Sequence, residues 1–418
     1  MLDNSSTGTV KKSPAKKSTA KKSAAIKPTA RKSAATKPAA KKSAANGTRV
    51  QKSMTENAPA VATLATMSQE DLDELAAELD LIRDDILNTL GKEDAEYLRR
   101  LLKIQRGLDV AGRVTLLAGL FPPAWFAGVG LLALAKILEN MEIGHNVMHG
   151  QWDWMRDPDI HSTTWEWDNV CPSEQWRHSH NYMHHQWTNV DGMDKDIGYG
   201  IFRVHESQKW SPEHLAQPAI FVLLAVLFEY GISLHDNDGL HFGSGKPVDL
   251  ELARPKLQQT WEKIRSQAAK DYVWFPLLAT PLGLPSVVAA ATGAATANVI
   301  RNVWSFAVIF CGHFPDGVAV FTQDEVENET RGGWYFRQIL GSANFTGGRV
   351  IDVLSGNLNH QIEHHLFPDL PSNRYVEIAP KVEAICERRG IPYNSGSFVK
   401  QLGSVVNKIV RLSVPFGK

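Results

Sequence analysis

Cysteine is scarce: the 418 residues hold three, Cys171, Cys311 and Cys386, far apart and with no CxxC pair. That argues against a disulfide framework, a thiolate zinc ribbon or an iron–sulfur centre ligated within the chain. It is consistent with a reducing cytoplasmic face. Net charge is also missing, but only in sum. Residues 1–52 carry 14 Lys/Arg against one acid, Asp3, a surplus of +13, so the remainder carries −13. The opening residues lack the apolar core of a secretory signal and turn Lys-rich instead. Mean hydropathy is low because that tail is averaged in. Apolar runs do exist at 114–121, 125–138, 217–234, 272–297 and 303–311.

The tail repeats Lys-Lys-Ser-like units from Lys11, Lys16, Lys21, Arg31 and Lys41, with Ala, Thr and Pro between. Such composition cannot bury a core, and residues 1–60 are expected to be a disordered basic tail joined to one domain, 61–418. The tail reads equally as a polybasic arm for anionic lipid or nucleic acid and as a solvated extension. It has no interleaved aromatics, and no base-reading element follows it.

Ser68 opens an amphipathic helix, with Asp71 at the third position of a capping box and Leu72, Leu75, Leu79 and Ile82 at helical spacing. Gly91 is expected to break it, and a second helix follows through 97–104. Residues 108–141 read as a helical hairpin that turns at 121–125, around Pro122-Pro123. The later apolar runs pose a parity problem, because groups that meet at one site must be separated by an even number of crossings. The loop 235–270 carries Lys246, Arg254, Lys256, Lys263, Arg265 and Lys270, which places it in the cytoplasm. The run 217–234, interrupted by Glu229, is then interfacial or re-entrant, and the third and fourth spans are expected at about 272–292 and 296–312.

Eight of the 15 histidines sit in three clusters: His145-Asn-Val-Met-His149, His180-Asn-Tyr-Met-His184-His185 and His360-Gln-Ile-Glu-His364-His365. Neutral imidazole is the commonest metal ligand and suits iron. Residues spaced i, i+4 share a helix face, so His145/His149 and His180/His184 can each aim two rings at one place. The nitrogens suffice for two metal ions. A site rich in imidazole and free of thiolate suits iron that meets oxygen, since thiols there would be oxidised. Carboxylates are expected to orient the rings, with Glu142, Asp153, Glu166, Asp194, Asp196 and Glu363 as candidates. His178 is a less secure ligand; His161, His205, His214, His235 and His241 lie in polar stretches and are not expected to bind metal.

HxxxH, HxxxHH and the closing segment 361–368, QIEHHLFP, resemble the histidine boxes of the membrane fatty acid desaturases. The segments 142–154, 161–167, 302–304 and 310–316 are similar to those of stearoyl-CoA Δ9 members of that family, and the resemblance runs from about 68 to 412. It implies an all-α integral membrane protein with about four transmembrane helices in two hairpins. A cytoplasmic helical cap would hold a histidine-rich di-iron site. It implies two irons, O2 as co-substrate and loss of two hydrogens from a long-chain acyl-CoA. It also implies residence in the plasma membrane, with site and tail cytoplasmic. His313 is carried over as a ligand beside His145, His149, His180, His184, His185, His364 and His365. At the third box His360 and Gln361 both fit a ligand pattern, and the choice stays open.

Selectivity for one carbon pair demands a narrow apolar tunnel. Trp152, Trp154, Trp165, Trp167, Trp176 and Trp187 either line it or form an aromatic belt at the bilayer interface. Arg156, Arg177, Lys195 and Arg203 are candidates for carrier phosphates. The reaction needs two electrons, yet there is no His-Pro-Gly-Gly segment and no cluster-binding cysteine pattern. The Gly128-Val-Gly130 run lies in an apolar span without the context of a dinucleotide site. No tightly bound flavin or haem is expected, and a separate NAD(P)H-dependent reductase is implied. An iron hydroxylase of alkanes or carotenoids is the nearest alternative. A metal transporter would hold its histidines within the spans rather than at their ends.

Overall fold

The computed structural model describes residues 67–240 and 247–416; the basic tail, His241 and Lys246 lie outside them. Helix α1 (Gln69–Thr89) starts as its capping box requires: Ser68 Oγ accepts from Asp71 N at 3.1 Å, and Asp71 accepts from Ser68 N at 3.2 Å. Its apolar stripe, Leu75, Leu79, Ile82 and Ile86, is buried. Gly91 ends the break, and α2 (Lys92–Leu117) runs on much further than the 97–104 segment suggested.

Helix α3 (Pro122–Leu138) returns along α2. The expected hairpin turn at 121–125 is corrected to 118–121, because Pro122 and Pro123 occupy the first helical turn, where a missing N–H costs nothing. The two helices touch at glycines. A Cβ on Gly112 would stand 2.7 Å from Leu132 N, so only glycine admits this approach.

Helices α4 (Gln217–Val226) and α5 (Phe228–His235) carry the 217–234 run. The segment Pro212–Val226 meets Phe228–His235 at 103°, so it forms no straight crossing. Helix α6 (Leu250–Ala268) continues through a π-helical turn, Ala269–Trp274. Gly283, at φ 93°, then starts α7 (Leu284–His313). The expected spans 272–292 and 296–312 are therefore wrong in their limits: the chain turns at 278–283, and residues 292–296 lie inside one unbroken helix. Among the described residues α7 is the one straight helix long and apolar enough to cross a membrane. It packs on α2 and α3 through Ala290, Ala294 and Ala297 beside Leu116 and Leu132.

Beyond α7 lie α8 (Arg331–Leu340), β1 (Asn344–Thr346), α9 (Gln361–Leu366), α10 (Tyr375–Arg389), β2 (Ser395–Ser397) and α11 (Phe398–Leu412). β1 and β2 pair in parallel. α1, α8, α9 and α10 share one apolar core around Leu79, Phe336, Ile362, Leu366 and Ile378. That core fixes the third histidine box against the helix ends that carry the other two.

Candidate metal centre

Two of the three boxes sit on π-helical turns, Glu139–His145 and Arg177–His184. A π turn brings residues five apart to one face, and such turns are frequent at functional sites. His180 Nε2 thus lies 3.3 Å from His185 Nε2. His180 and His184 stay together as the i, i+4 spacing requires: their rings stack at 5.1 Å, and with Asp196 they offer ligand atoms within 4.8 Å of one another. His145, His149, His180 and His364 form one group, with ring nitrogens within 4.8 Å of one another. His184, His313 and His365 form a second. His185 lies between them, its ring 4.8 Å from that of His364 and 4.4 Å from that of His365.

The outward nitrogens are anchored, which leaves the inward ones as lone pairs. His365 Nδ1 is 3.1 Å from Gln338 Oε1, an acceptor only, so Nδ1 carries the proton. Tyr375 OH donates to Phe367 O at 3.0 Å and lies 3.4 Å from His364 Nδ1. His184 Nδ1 donates to Asp194 at 3.1 Å. The Nε2 atoms of His149, His184 and His365 are buried without a hydrogen-bond partner, and His145 Nε2 faces His364 Nε2 at 3.4 Å. Buried nitrogens aimed at one another are costly unless a cation lies between them. The donor set therefore fits metal ions.

Burial pushes His145, His149, His185, His364 and His365 well below the usual imidazole range, and neighbouring rings add to the effect. They are neutral, as ligation demands. His184 departs from this. Burial would lower it, but the carboxylates of Asp194 and Asp196 outweigh that and hold it up at about 9.

The two contested groups separate. The amide of Gln361 lies 3.1 Å from His313 Nε2, and its Oε1 takes no partner. His360 joins none of the histidine groups and lies 3.9 Å from Asp352. Of the six candidate orienting carboxylates, Asp194 and Asp196 contact rings. The recorded partners of the other four are not histidines of the centre. Glu142, pushed up to about 7 by burial, accepts from Tyr97, Ser372 and Asn357. Glu363 accepts from Asn344 and Tyr393, Asp153 from Ser162, and Glu166 from Ser173. Gln338, Thr188 and Tyr375 take that role for the third box. No sequence pattern marks them; each is a single polar residue brought in by packing. Of the histidines not expected to ligate, His161 meets Thr163, His205 meets Ser207, His214 caps with Ser211, and His235 meets Asp196. His178 is exposed, 3.7 Å from Asp238.

Residues 122–397 match the family described as Fatty acid desaturase. The chain belongs to that family. Its relatives include the NADPH-dependent stearoyl-CoA 9-desaturase of Mycobacterium tuberculosis, 47% identical over 355 residues, which cover 85% of this chain and 83% of that protein. The sn-1 linoleoyl-lipid 6-desaturase of Synechocystis is 26% identical over 71% of this chain and 82% of its own. The acyl-lipid (7-3)-desaturase of Rebecca salina is 31% identical over 52% and 48%. This protein is a fatty acyl desaturase.

The tryptophans of the desaturase do not form an exposed belt. Trp152, Trp167 and Trp176 are buried, while Trp154, Trp165 and Trp187 are half-buried against the cores. Trp176 stacks on His180 at 4.5 Å and walls the first histidine group. Two of the expected phosphate cations serve the fold instead. Arg203 is buried among the carbonyls of Glu206, Gln208 and Leu412, and Arg177 holds Ser162 O and Ser173 Oγ. Lys195 pairs with Asp238 at 2.5 Å in the wall of a cavity of about 780 Å³, and Arg156 is exposed.

Proposed function

We propose that the desaturase introduces a cis double bond at the Δ9 position of stearoyl-CoA. Two irons are held by His145, His149, His180 and His364 on one side and His184, His313 and His365 on the other. His185 lies between the sets, and Gln361 rather than His360 completes the second. The observation that carries this is the pair of imidazole groups sharing one interior, in a chain so similar to a stearoyl-CoA 9-desaturase. Bound iron would supply the power to reduce O2 and to remove hydrogen from an unactivated methylene.

The protein's own part is placement. Asp194, Gln338 and Tyr375 keep Nδ1 protonated on three rings, so that Nε2 faces inward. Trp176 and the buried walls exclude water from the first group. Loss of two hydrogens while O2 becomes two waters requires two electrons and two protons from outside the chain. A separate NAD(P)H-dependent reductase supplies the electrons. The α2/α3 hairpin and a second one, formed by the apolar chain from about 272 and its return along α7, give about four crossings of the plasma membrane, with the α4/α5 elbow re-entrant, α6 and the histidines on the cytoplasmic side, and the tail on that side too. The basic tail would serve as a polybasic arm for anionic lipid or nucleic acid.

Turnover of stearoyl-CoA in membranes holding the wild type or His364→Ala, with and without O2, tests the proposal. O2-dependent oleoyl-CoA formation and about two irons per chain are expected of the wild type. Full activity in His364→Ala would sink it.

A further inference from the structure

One carboxylate touches both histidine groups. Asp196 Oδ2 lies 3.5 Å from His184 Nδ1 and 3.9 Å from His180 Nδ1; His180 belongs to the first histidine group and His184 to the second, and the two rings also form a set with Asp196 itself. Its neighbour Asp194 is pinned from several sides: besides His184 it accepts from Asn189 N at 2.8 Å and Asp196 N at 2.9 Å. The Asp196 side chain lacks such backbone donors among the described residues. Its short hydrogen bond comes from His235 Nε2, which donates to Oδ1 at 2.8 Å.

His235 is well placed to hold a fixed position. It is the last residue of α5, 7% exposed, with its ring 4.9 Å from that of Tyr199 and nearly perpendicular to it. It also lines the cavity that His178, Met183 and Lys195 share, and its Nδ1 is buried without a partner. His235, at the end of α5, thus holds Asp196, and Asp196 faces the outer nitrogens of two rings at once. Outer partners of ligating imidazoles fix ring orientation, and their loss costs about 10–100-fold in metal affinity or activity.

We propose that His235 is a positioning residue: through Asp196 it holds His180 and His184 together and so fixes the two metal positions relative to each other. The inference rests on reading the histidine groups as iron sites. It is tested on full-length protein in detergent with His235→Leu, which removes the donor, and His235→Gln, whose amide can still donate to Asp196. The readouts are iron per chain, the Mössbauer spectrum of isotopically enriched iron, stearoyl-CoA turnover and Tm. The expected result is an altered iron spectrum in His235→Leu with a near-native Tm and turnover down about 10–100-fold, with His235→Gln recovering most of both. A wild-type spectrum and turnover in His235→Leu would overturn the proposal. Equal loss in both variants with a collapsed Tm would also overturn it, since that outcome is packing alone. Wild-type protein that binds no iron would instead sink the metal reading itself.

Discussion

The desaturase has two polar interiors, and they are built on opposite principles. Where α2, α3, α5, α7 and the π turn after α6 meet, the buried charges find counter-charges. Lys136 Nζ lies 2.8 Å from Asp271 and 3.2 Å from Asp168; Arg113 lies 3.0 Å from Asp271, and Arg301 2.6 Å from Glu229. In the histidine centre, buried nitrogens face one another at 3.3–3.4 Å or face nothing. Folding alone rewards the first arrangement and penalises the second. The polar interior that leaves its inward groups unpaired is the one selected for binding, and the paired one is selected for holding helices in register.

The sharpest way to break this contrast is to remove one residue from each interior. His364→Ala should abolish turnover, beyond the roughly 100-fold that loss of a mere orienting partner costs, while Tm of the metal-free protein holds or rises, because a buried ring whose inward nitrogen meets only another ring nitrogen is removed. Lys136→Met should do the reverse. It removes the buried cation that Asp271 and Asp168 share, leaving them Arg113 and Lys270 as counter-charges, and breaking a buried pair costs up to about 3–5 kcal/mol. Chemical denaturation in detergent should show that loss, with iron per folded chain unchanged. A stable Lys136→Met, or a metal-free His364→Ala that unfolds easily, would erase the distinction.

Much of this was legible in the sequence, because it depends on local pattern. The Ser68–Asp71 box, the α2/α3 hairpin and the three histidine boxes are short-range signals. What was not legible depends on backbone geometry or distant packing. The i, i+4 rule finds the His180/His184 pair but not the approach of His185 to His180, which comes with the π turn Arg177–His184. The spans at 272–292 and 296–312 followed apolar content, but Gly283 moves the turn to 278–283. Gln338 and Tyr375 carry no motif at all; α8 and α10 deliver them by tertiary packing.

Among the orienting groups, Asp194→Asn tests a smaller step. The asparagine oxygen can still accept from His184 Nδ1, but the negative charge that holds His184 up at about 9 is gone. Iron affinity should fall toward the lower end of the 10–100-fold range typical of such partners, at about 10-fold. Competition with a chelator measures it. No change would show that Asp196 alone orients the ring.

The smallest expected effect separates His360 from Gln361. Two adjacent residues at the start of α9 point different ways, since His360 caps the helix in a non-helical conformation while Gln361 is its first residue. Gln361 is packed against α7: a Cβ on Gly312 would stand 2.8 Å from Gln361 Cγ, so its amide is held beside His313. An amide is a weaker ligand than imidazole, so Gln361→Ala should lower activity only several-fold, within about 10-fold of wild type, and should leave most of the iron in place. His360→Ala should change less, because its ring faces Asp352 at 3.9 Å and joins neither histidine group. Iron content and turnover of the two variants, prepared side by side, give the order. If His360→Ala lost iron while Gln361→Ala kept it, the third box would have to turn about its cap on loading. The metal would then reshape the centre instead of entering one already formed.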